Sequence, residues 1–394
     1  MPAVSCPVHD NLQADADRRR SVAGAGALPI SPEGRVTGFA AVREVLRVPG
    51  MRQAGFKAEL VQRSGGLTRP PILFLSGEAH RRQRAATARF FAPRVVEEKH
   101  RPLIEEHANR LIERLQRDGQ AKLDTMALDL AVAVAGEIVG LTQSDRGAMA
   151  RRLDAFFSVG TTTREGRFAP MSAFLKGQWR MLHFHFADVR PAIAARRKAP
   201  REDVISHLIA EGYTPRDILV ECFTYGAAGM VTTREFITMA AWHLLDDAEL
   251  RARFLAADRT GRIAVLEEIL RLEPVVGYLY RCPADGGPPV ELDIRSANAD
   301  VAAVGACPFK LDPDRQRAER VGGAGMAFGD GEHRCPGAGV ALAEAEIFLN
   351  RLLRVPGLRL EQAPRLGWNP LVTGYELRDC RVAVGRVAAG GEAA

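Results

Sequence analysis

The chain has 394 residues, of which 46% are hydrophobic and 26% are charged. This composition is typical of a folded protein with a large core and excludes a disordered or fibrous chain. The net charge of +6 comes mainly from arginines spread along the chain, so it does not indicate nucleic-acid binding. A solvated basic surface explains it most simply, and a docking face for an acidic electron-transfer partner is the alternative.

No Pro/Gly/Ser linker divides the sequence, so we predict one domain over residues 1–394, with a loosely ordered lead-in at residues 1–29. Residues 1–28 are polar and contain no apolar segment of signal or anchor length. The six cysteines show neither a CxxC pair nor the spacing of a disulfide framework. We therefore expect a soluble, cytoplasmic protein without a membrane partner.

The first elements are short. Residues 36–46 alternate and then follow a helical period, which predicts a strand and a short helix. Residues 50–69 predict a long irregular loop, a kind of segment that is often functional.

A helix follows Ser76 as a candidate cap, and His80 and Arg84 lie one turn apart on it. This pair could bind an anion, although an exposed basic helix is the common alternative.

The middle of the chain predicts packed helices. Apolar residues recur at three and four positions over residues 101–140, which we interpret as scaffold. Bulky apolar residues between 151 and 197 indicate core more than ligand contacts. His183 and His185 are two positions apart and would point in different directions on a helix, so we assign them no metal role.

A long helix is predicted from Thr214, with threonine as the cap, Pro215 in the first position and Asp217 in the third. It continues for about 30 residues, or ~45 Å. Small and hydroxyl residues interrupt it at 226–233. Close helix packing would explain them. The alternative is a flat face against a cofactor, with Thr232 bonding back to the preceding turn and loosening it.

Two features near the C-terminus complete the pattern. Glu268 and Arg271 share one helical face, a spacing that is common on solvated helices and therefore weak by itself. Residues 368–384 predict a β-hairpin whose tip, at 372–376, would point into a pocket.

A glycine-rich loop at residues 328–337 brings Cys335 to the start of a helical run over residues 338–353. Unpaired N–H groups and the macrodipole at a helix N-terminus stabilise a thiolate, and Pro336 is tolerated in a first turn. The glycines allow the backbone to approach a bulky, flat group. These features indicate a metal ligand, and a free loop cysteine is the alternative.

The loop resembles the haem-binding loop of the cytochrome P450 superfamily, in which the cysteine thiolate is the proximal iron ligand. The resemblance covers nearly the whole chain and implies a mainly α fold with a small β portion, with haem b between the long central helix and the Cys335 helix. The fixed positions of the family loop are filled by Phe328, Gly329, Gly331, His333, Cys335 and Gly337. The resemblance also assigns the haem propionates to His80, Arg84, Arg281 and His333, and it identifies Glu268 and Arg271 as a buried ion pair.

The long helix resembles the oxygen-binding motif of the family at Ala228, Gly229 and Thr232. It departs from that motif at Val231, where the family usually has Asp or Glu, and a valine cannot relay a proton. Protons must then travel by Thr232, ordered water, the substrate or Glu235.

Between residues 282 and 310 the resemblance weakens, because a strand-rich stretch of the family is replaced by a short turn. This region borders the substrate in the family, so the shape of the pocket does not carry over. The resemblance places the following residues around the substrate: Met51, Phe56, Tyr225, Val231, Val276 and Thr373.

The implied reaction is monooxygenation of a small organic substrate with dioxygen and electrons from a ferredoxin and its reductase. Val231 supports a second interpretation, an oxidase or peroxide-using enzyme that couples, cyclises or desaturates its substrate. A haem-thiolate gas or redox sensor is a more distant interpretation, because Thr232 and the long loops indicate a substrate pocket.

Overall fold

The computed structural model describes residues 34–56, 69–157, 169–284, 286–369 and 372–385. The predicted lead-in and most of the predicted loop at 50–69 lie outside these residues. The described chain is mainly helical with a small β portion, as the sequence predicts. None of the described helices combines the length and apolar character needed to cross a membrane. The α-helices are α1 (Phe39–Arg47), α2 (Gly77–Ala88), α3 (Pro93–Val95), α4 (Arg101–Asp118), α5 (Leu123–Val139), α6 (Arg146–Phe157), α7 (Ala169–Phe184), α8 (Arg190–Lys198), α9 (Val204–Ala210), α10 (Pro215–Tyr225), α11 (Thr232–Asp246), α12 (Ala248–Ala256), α13 (Arg259–Leu272), α14 (Ile294–Asn298), α15 (Val301–Val304) and α16 (Ala338–Leu352).

The described strands form three small sheets. The first has the order β1-β5-β4-β2, in which β1 and β5 are parallel and the other pairs are antiparallel. The second has the order β3-β9-β6, and the third is the antiparallel pair β7-β8. The strands are β1 (Arg35–Val36), β2 (Arg52–Ala54), β3 (Gln120–Lys122), β4 (Tyr278–Cys282), β5 (Val290–Asp293), β6 (Leu358–Gln362), β7 (Arg365–Asn369), β8 (Gly374–Arg378) and β9 (Arg381–Val384).

The predicted long helix is present as α10 and α11, joined without a break by a π-helical segment at Gly226–Val231. Thr214 and Asp217 form a reciprocal capping box at its start, as their spacing predicts. Its second half is almost entirely buried and packs against α5 and α16. The long helix therefore lies in the main core, and its position fixes that of the Cys335 helix.

Three local predictions are wrong in whole or in part. Ser76 is at the N-cap position of α2, as predicted, but its hydroxyl makes no cap hydrogen bond, and the next residue, Gly77, has a φ of +61°. The hairpin consists of β7 and β8, whereas β9 pairs with β3 and β6, so the predicted tip begins two residues and ends three residues too far along. Cys307 is disulfide-bonded, although the cysteine spacing predicts no disulfide.

Candidate functional site

The loop before α16 has a conformation that its own backbone bonds determine. The Cys335 N–H donates to the Phe328 carbonyl at 2.8 Å, which closes the loop. Gly331 has a φ of +67°, and a Cβ placed on it would lie 2.2 Å from the Leu46 carbonyl oxygen. Any larger residue at this position would force α1 away from the loop.

The Cys335 sulfur lies at the N-terminus of α16, as predicted. Burial raises the pKa of the Cys335 thiol, while the backbone N–H groups of Gly337 and Ala338 donate to the sulfur and oppose the rise. The positive charges of Arg84 and Arg334 act in the same direction as these hydrogen bonds. The surroundings therefore favour a thiolate as soon as a metal ion compensates for its burial.

Two histidines meet beside this loop. The rings of His80 in α2 and His333 in the loop are 4.2 Å apart between centroids. His80 Nδ1 and His333 Nε2 are buried and have no hydrogen-bond partner. Burial lowers the pKa of both imidazoles, and that of His333 falls to about 3, so both rings are neutral at pH 7. Each ring thus presents a nitrogen that is available to a ligand.

Two arginines complete the group. Burial lowers the pKa of Arg281 to about 10, and its hydrogen bonds go to the neutral acceptors Gln53 Oε1, at 2.5 Å, and Tyr280 O, at 2.9 Å. Arg84 donates to the Arg334 carbonyl, and burial lowers the pKa of Arg84 as well. The charges of Arg281 and Arg84 both contribute to the low pKa of His333.

The four residues predicted to hold propionates are therefore brought together, and among the described residues no carboxylate is hydrogen-bonded to any of them. Two propionates would supply the missing acceptors, so these residues fit a haem beside Cys335.

The π-helical segment of the long helix exposes small residues. Ala228 is exposed and Gly229 and Thr232 are half-buried, although the flanking turns are in the core. Thr232 Oγ1 donates to the Ala228 carbonyl at 2.6 Å, so the predicted back-bonding is present. This face is flat and has one hydroxyl at its edge.

Val231 and Glu235 do not lie on this face. The Val231 side chain is buried in the main hydrophobic core. Glu235 is fully buried and accepts hydrogen bonds from the Leu377 N–H, at 2.7 Å, and from the side chains of Arg234 and Arg378, each at 2.8 Å. Glu235 therefore has a structural role, and of the two side chains considered as proton relays only Thr232 is on the open face.

Glu268 and Arg271 form the predicted buried ion pair. Two parallel hydrogen bonds join them, Nε to Oε2 at 2.8 Å and Nη2 to Oε1 at 2.7 Å. Arg315 and Arg317 add further bonds to the same carboxylate, at 3.1 and 3.2 Å. Arg317 was not predicted, because it approaches from a segment 49 positions away and no local pattern marks it.

The predicted substrate residues are partly brought together. Val276 forms a β-bridge with Gly374, and Thr373 is adjacent, but the Thr373 hydroxyl donates to the Tyr278 carbonyl at 2.7 Å. Tyr225 stacks on Phe91, with 6.4 Å between ring centroids. Met51 and Phe56 are half-buried on either side of β2. Val231 faces the core, so its side chain does not line this region.

No family model matches the chain. It is 31% identical over 331 residues to the cytochrome P450 monooxygenase PikC of Streptomyces venezuelae, an alignment that covers 78% of this chain and 75% of that protein. It is 28% identical over 346 residues to the mycinamicin IV hydroxylase/epoxidase of Micromonospora griseorubida, covering 82% of each.

The fold agrees with these relatives. The structure of P450BioI with a hexadec-9Z-enoic acid ligated acyl carrier protein has a TM-score of 0.74 at 23% identity, covering 95% of this chain and 98% of that one. Ligand-free Mycobacterium smegmatis CYP164A2 has a TM-score of 0.71 at 26% identity, covering 97% and 96%. The chain therefore belongs to the cytochrome P450 superfamily and is a haem-containing enzyme of the monooxygenase class.

Proposed function

We propose that this enzyme oxidises a small organic substrate with dioxygen and electrons from a ferredoxin-type donor, and that Cys335 is the proximal ligand of its haem. The observation that carries the proposal is the position of the Cys335 sulfur at the N-terminus of α16, beside two neutral histidines and two arginines that bond no carboxylate among the described residues. The bound haem supplies the oxygen-activating chemistry, and the chain supplies binding, orientation and protons.

His80, Arg84, Arg281 and His333 hold the propionates in this proposal. Two carboxylates removed from water carry a large desolvation cost, which several hydrogen bonds from charged and neutral donors offset. Phe328 and Gly337 flank the cysteine in the loop, and Gly337 keeps the approach to the sulfur free of a side chain.

Ala228 and Gly229 keep the open face of the π-helical segment flat, and Thr232 holds a proton at Oγ1 at the edge of that face. The Thr232 hydroxyl can pass this proton on while it accepts another proton from a water molecule, since the hydroxyl is both donor and acceptor. The core position of Val231 and the three hydrogen bonds of Glu235 support Thr232 as the relay.

A ferredoxin fits the basic surface near the loop, where Arg82 and Arg334 are exposed. A cytoplasmic location belongs to the same proposal, because reductase-fed ferredoxins supply electrons there, and four of the five described cysteines are free thiols.

A second candidate, an oxidase or peroxide-using enzyme, is favoured by one observation: neither Val231 nor Glu235 offers an acid at the open face. Membership of an enzyme family argues against the sensor interpretation.

Carbon monoxide binding to the reduced protein tests the proposal. We expect an absorption band at the thiolate-ligated wavelength, and Cys335→Ala should abolish it. Cys282→Ala is the matched control, because Cys282 is another partly buried free thiol. A thiolate band that survives in Cys335→Ala, or that is absent from the wild type, would refute the assignment.

The Soret band should shift when an organic substrate displaces solvent, which provides a ligand screen. Comparing product formation with ferredoxin and reductase against hydrogen peroxide then separates the two candidate functions. Turnover with hydrogen peroxide alone would favour the second candidate, an oxidase or peroxide-using enzyme.

A further inference from the structure

Arg295, in α14, is a buried cation without a counter-ion. The side chain is 6% exposed, and Nε, Nη1 and Nη2 are all buried and have no hydrogen-bond partner. Among the described residues, no other arginine leaves all three guanidinium nitrogens buried and unpaired. A buried charge in this state is costly, because each unpaired donor retains its desolvation penalty.

A second buried polar atom without a partner belongs to a neighbouring side chain. The Trp368 Nε1 is buried and has no acceptor. A Cβ placed on Gly277 would lie 3.6 Å from Arg295 Nε and 3.8 Å from Trp368 Cη2, so both side chains border the position where Gly277 has none. Aromatic rings line this Gly277 nook: Tyr375 has its centroid 5.9 Å from Arg295 Cζ, and Tyr278 lies 6.0 Å from the Trp368 ring.

The carboxylates of Glu291 and Asp293 are bound elsewhere, whereas Glu273, beside Tyr375, keeps a buried Oε2 without a partner. Glu291 accepts from Arg35 Nε, at 2.6 Å, and from the Tyr280 hydroxyl, at 3.0 Å. Asp293 caps α14 by accepting from the Ser296 N–H at 2.9 Å. The nook therefore has donors and apolar walls, and no described carboxylate pairs with Arg295.

The nook adjoins the predicted substrate region. The Gly277 N–H donates to the Thr373 carbonyl at 3.0 Å, and Val276 pairs with Gly374. Arg295 comes from the segment in which the sequence departs from its family. There the chain leaves β5 at Asp293 and turns directly into α14, and this turn places Arg295 next to Gly277.

We propose that Arg295 binds the carboxylate of an organic acid substrate. This inference rests on the proposed function and narrows its substrate class. A guanidinium pairs with a carboxylate through two parallel hydrogen bonds, which restores the partners that Arg295 lacks. The aromatic walls accept the apolar part of the acid next to the carboxylate.

Soret titrations of the haem-loaded enzyme with phenylacetate and decanoate, each compared with its primary amide, test the proposal. We expect the acids to bind the wild type at least 10-fold more tightly than the amides. In Arg295→Gln the ratio should fall to about 1. Arg94→Gln, at an exposed helix position, is the control and should keep the wild-type ratio. The acids should also raise the Tm of the wild type more than the amides do.

The ligand-free Tm separates ligand binding from a structural role. Arg295→Gln removes an unpaired buried charge, so its Tm should equal or exceed that of the wild type. A lower Tm, or a variant that does not fold, would assign Arg295 to the fold and overturn the proposal. Equal constants for acid and amide in the wild type, or no binding by either, would also overturn it. Failure of the proposed function is distinguishable, because the thiolate band with carbon monoxide would then be absent.

Discussion

Arg271 and Arg295 are both buried helix residues, and their surroundings are opposite. Arg271 is 1% exposed and uses every guanidinium nitrogen, with two bonds to Glu268 and one from Nη1 to the Asn298 carbonyl at 2.9 Å. Arg295 uses none. The fold tolerates a buried charge that has all its partners inside the chain, whereas one without partners indicates a ligand that the chain does not itself contain.

The same distinction applies beside Cys335. His80 and His333 each leave a buried ring nitrogen unpaired, and the Arg281 guanidinium bonds only neutral acceptors. This group resembles the Gly277 nook more than the saturated Glu268 cluster. The part of the chain that the structure describes thus contains one group of unpaired donors suited to haem propionates and another suited to a substrate carboxylate.

The largest expected effect comes from breaking the saturated cluster. Arg271→Ala leaves the Glu268 carboxylate without its bidentate partner, and removing one member of such a buried pair costs about 3–5 kcal/mol. We expect the free energy of unfolding in urea to fall by that amount. Arg81→Ala is the control, since its pair with Glu78 is exposed and its loss should change the free energy of unfolding little. A loss below 1 kcal/mol for Arg271→Ala would contradict the structural role.

The second largest effect concerns proton transfer. The hydrogen bonds of Glu235 are all made within the fold, whereas the Thr232 hydroxyl lies on the open face. If Thr232 is the relay, Thr232→Ala should lower product formed per electron pair by about 10²-fold, the lower range for general acid–base catalysis, and divert electrons to peroxide. Product and peroxide assays under dioxygen and reductase measure this. Unchanged coupling would remove the relay role of Thr232 and favour the peroxide-using alternative.

Val231→Asp tests whether position 231 lacks only an acid for proton transfer or is a core position that cannot accommodate one. The structure places this side chain in the core, so we expect a loss of stability from a buried, unpaired carboxylate and no gain in coupling. Improved coupling would show that the residue reaches the open face of the π-helical segment after all.

Local patterns in the sequence predicted much of the fold. The capping box at Thr214, the Glu268–Arg271 pair and the small residues of the π-helical segment were all visible as spacing. The family loop identified Cys335 and its neighbours. The course of β9 was mispredicted because strand pairing over long separations leaves no local signal.

Side-chain direction was the part that spacing could not predict. A π-helical turn shifts the helical register, so the sequence could not show that Val231 faces the core while Thr232 does not. Arg295 was missed for a different reason. An unpaired charge is defined by partners that are absent from the fold, and only the folded chain shows that absence.

A smaller effect is expected from the open group beside Cys335. Single alanine variants of His80, Arg84, Arg281 and His333 each remove one donor to a propionate, and a hydrogen bond to a charged group contributes about 1.5–3 kcal/mol. We expect haem to dissociate roughly 10-fold faster from each variant than from the wild type. Transfer of haem to an acceptor protein measures the rate, with Arg94→Ala as the exposed control. Retention equal to that of the control would exclude the residue from the group.

The smallest expected effect comes from Glu221, whose carboxyl group has hydrogen-bond partners on one oxygen and none on the other. Its Oε1 accepts from the Ile72 N–H, at 3.0 Å, and from Gln83 Nε2, at 3.1 Å, while Oε2 is buried without a partner. Burial raises the pKa of Glu221 from 4.5 to about 7, and the charge of Asp217 adds to the rise. The half-satisfied carboxyl therefore prefers its neutral form in the folded chain.

Because the folded state retains a proton that the unfolded state releases, this group stabilises the fold at low pH, and the contribution is lost as pH rises through 7. One group changes the stability by no more than about 1.4 kcal/mol per pH unit. The free energy of unfolding should thus fall by about 1 kcal/mol more in the wild type than in Glu221→Gln between pH 6 and pH 8. Glu78→Gln, at an exposed site, should follow the wild type. If all three curves run parallel, Glu221 is ionised in the folded protein at pH 6, and its Oε2 has a partner.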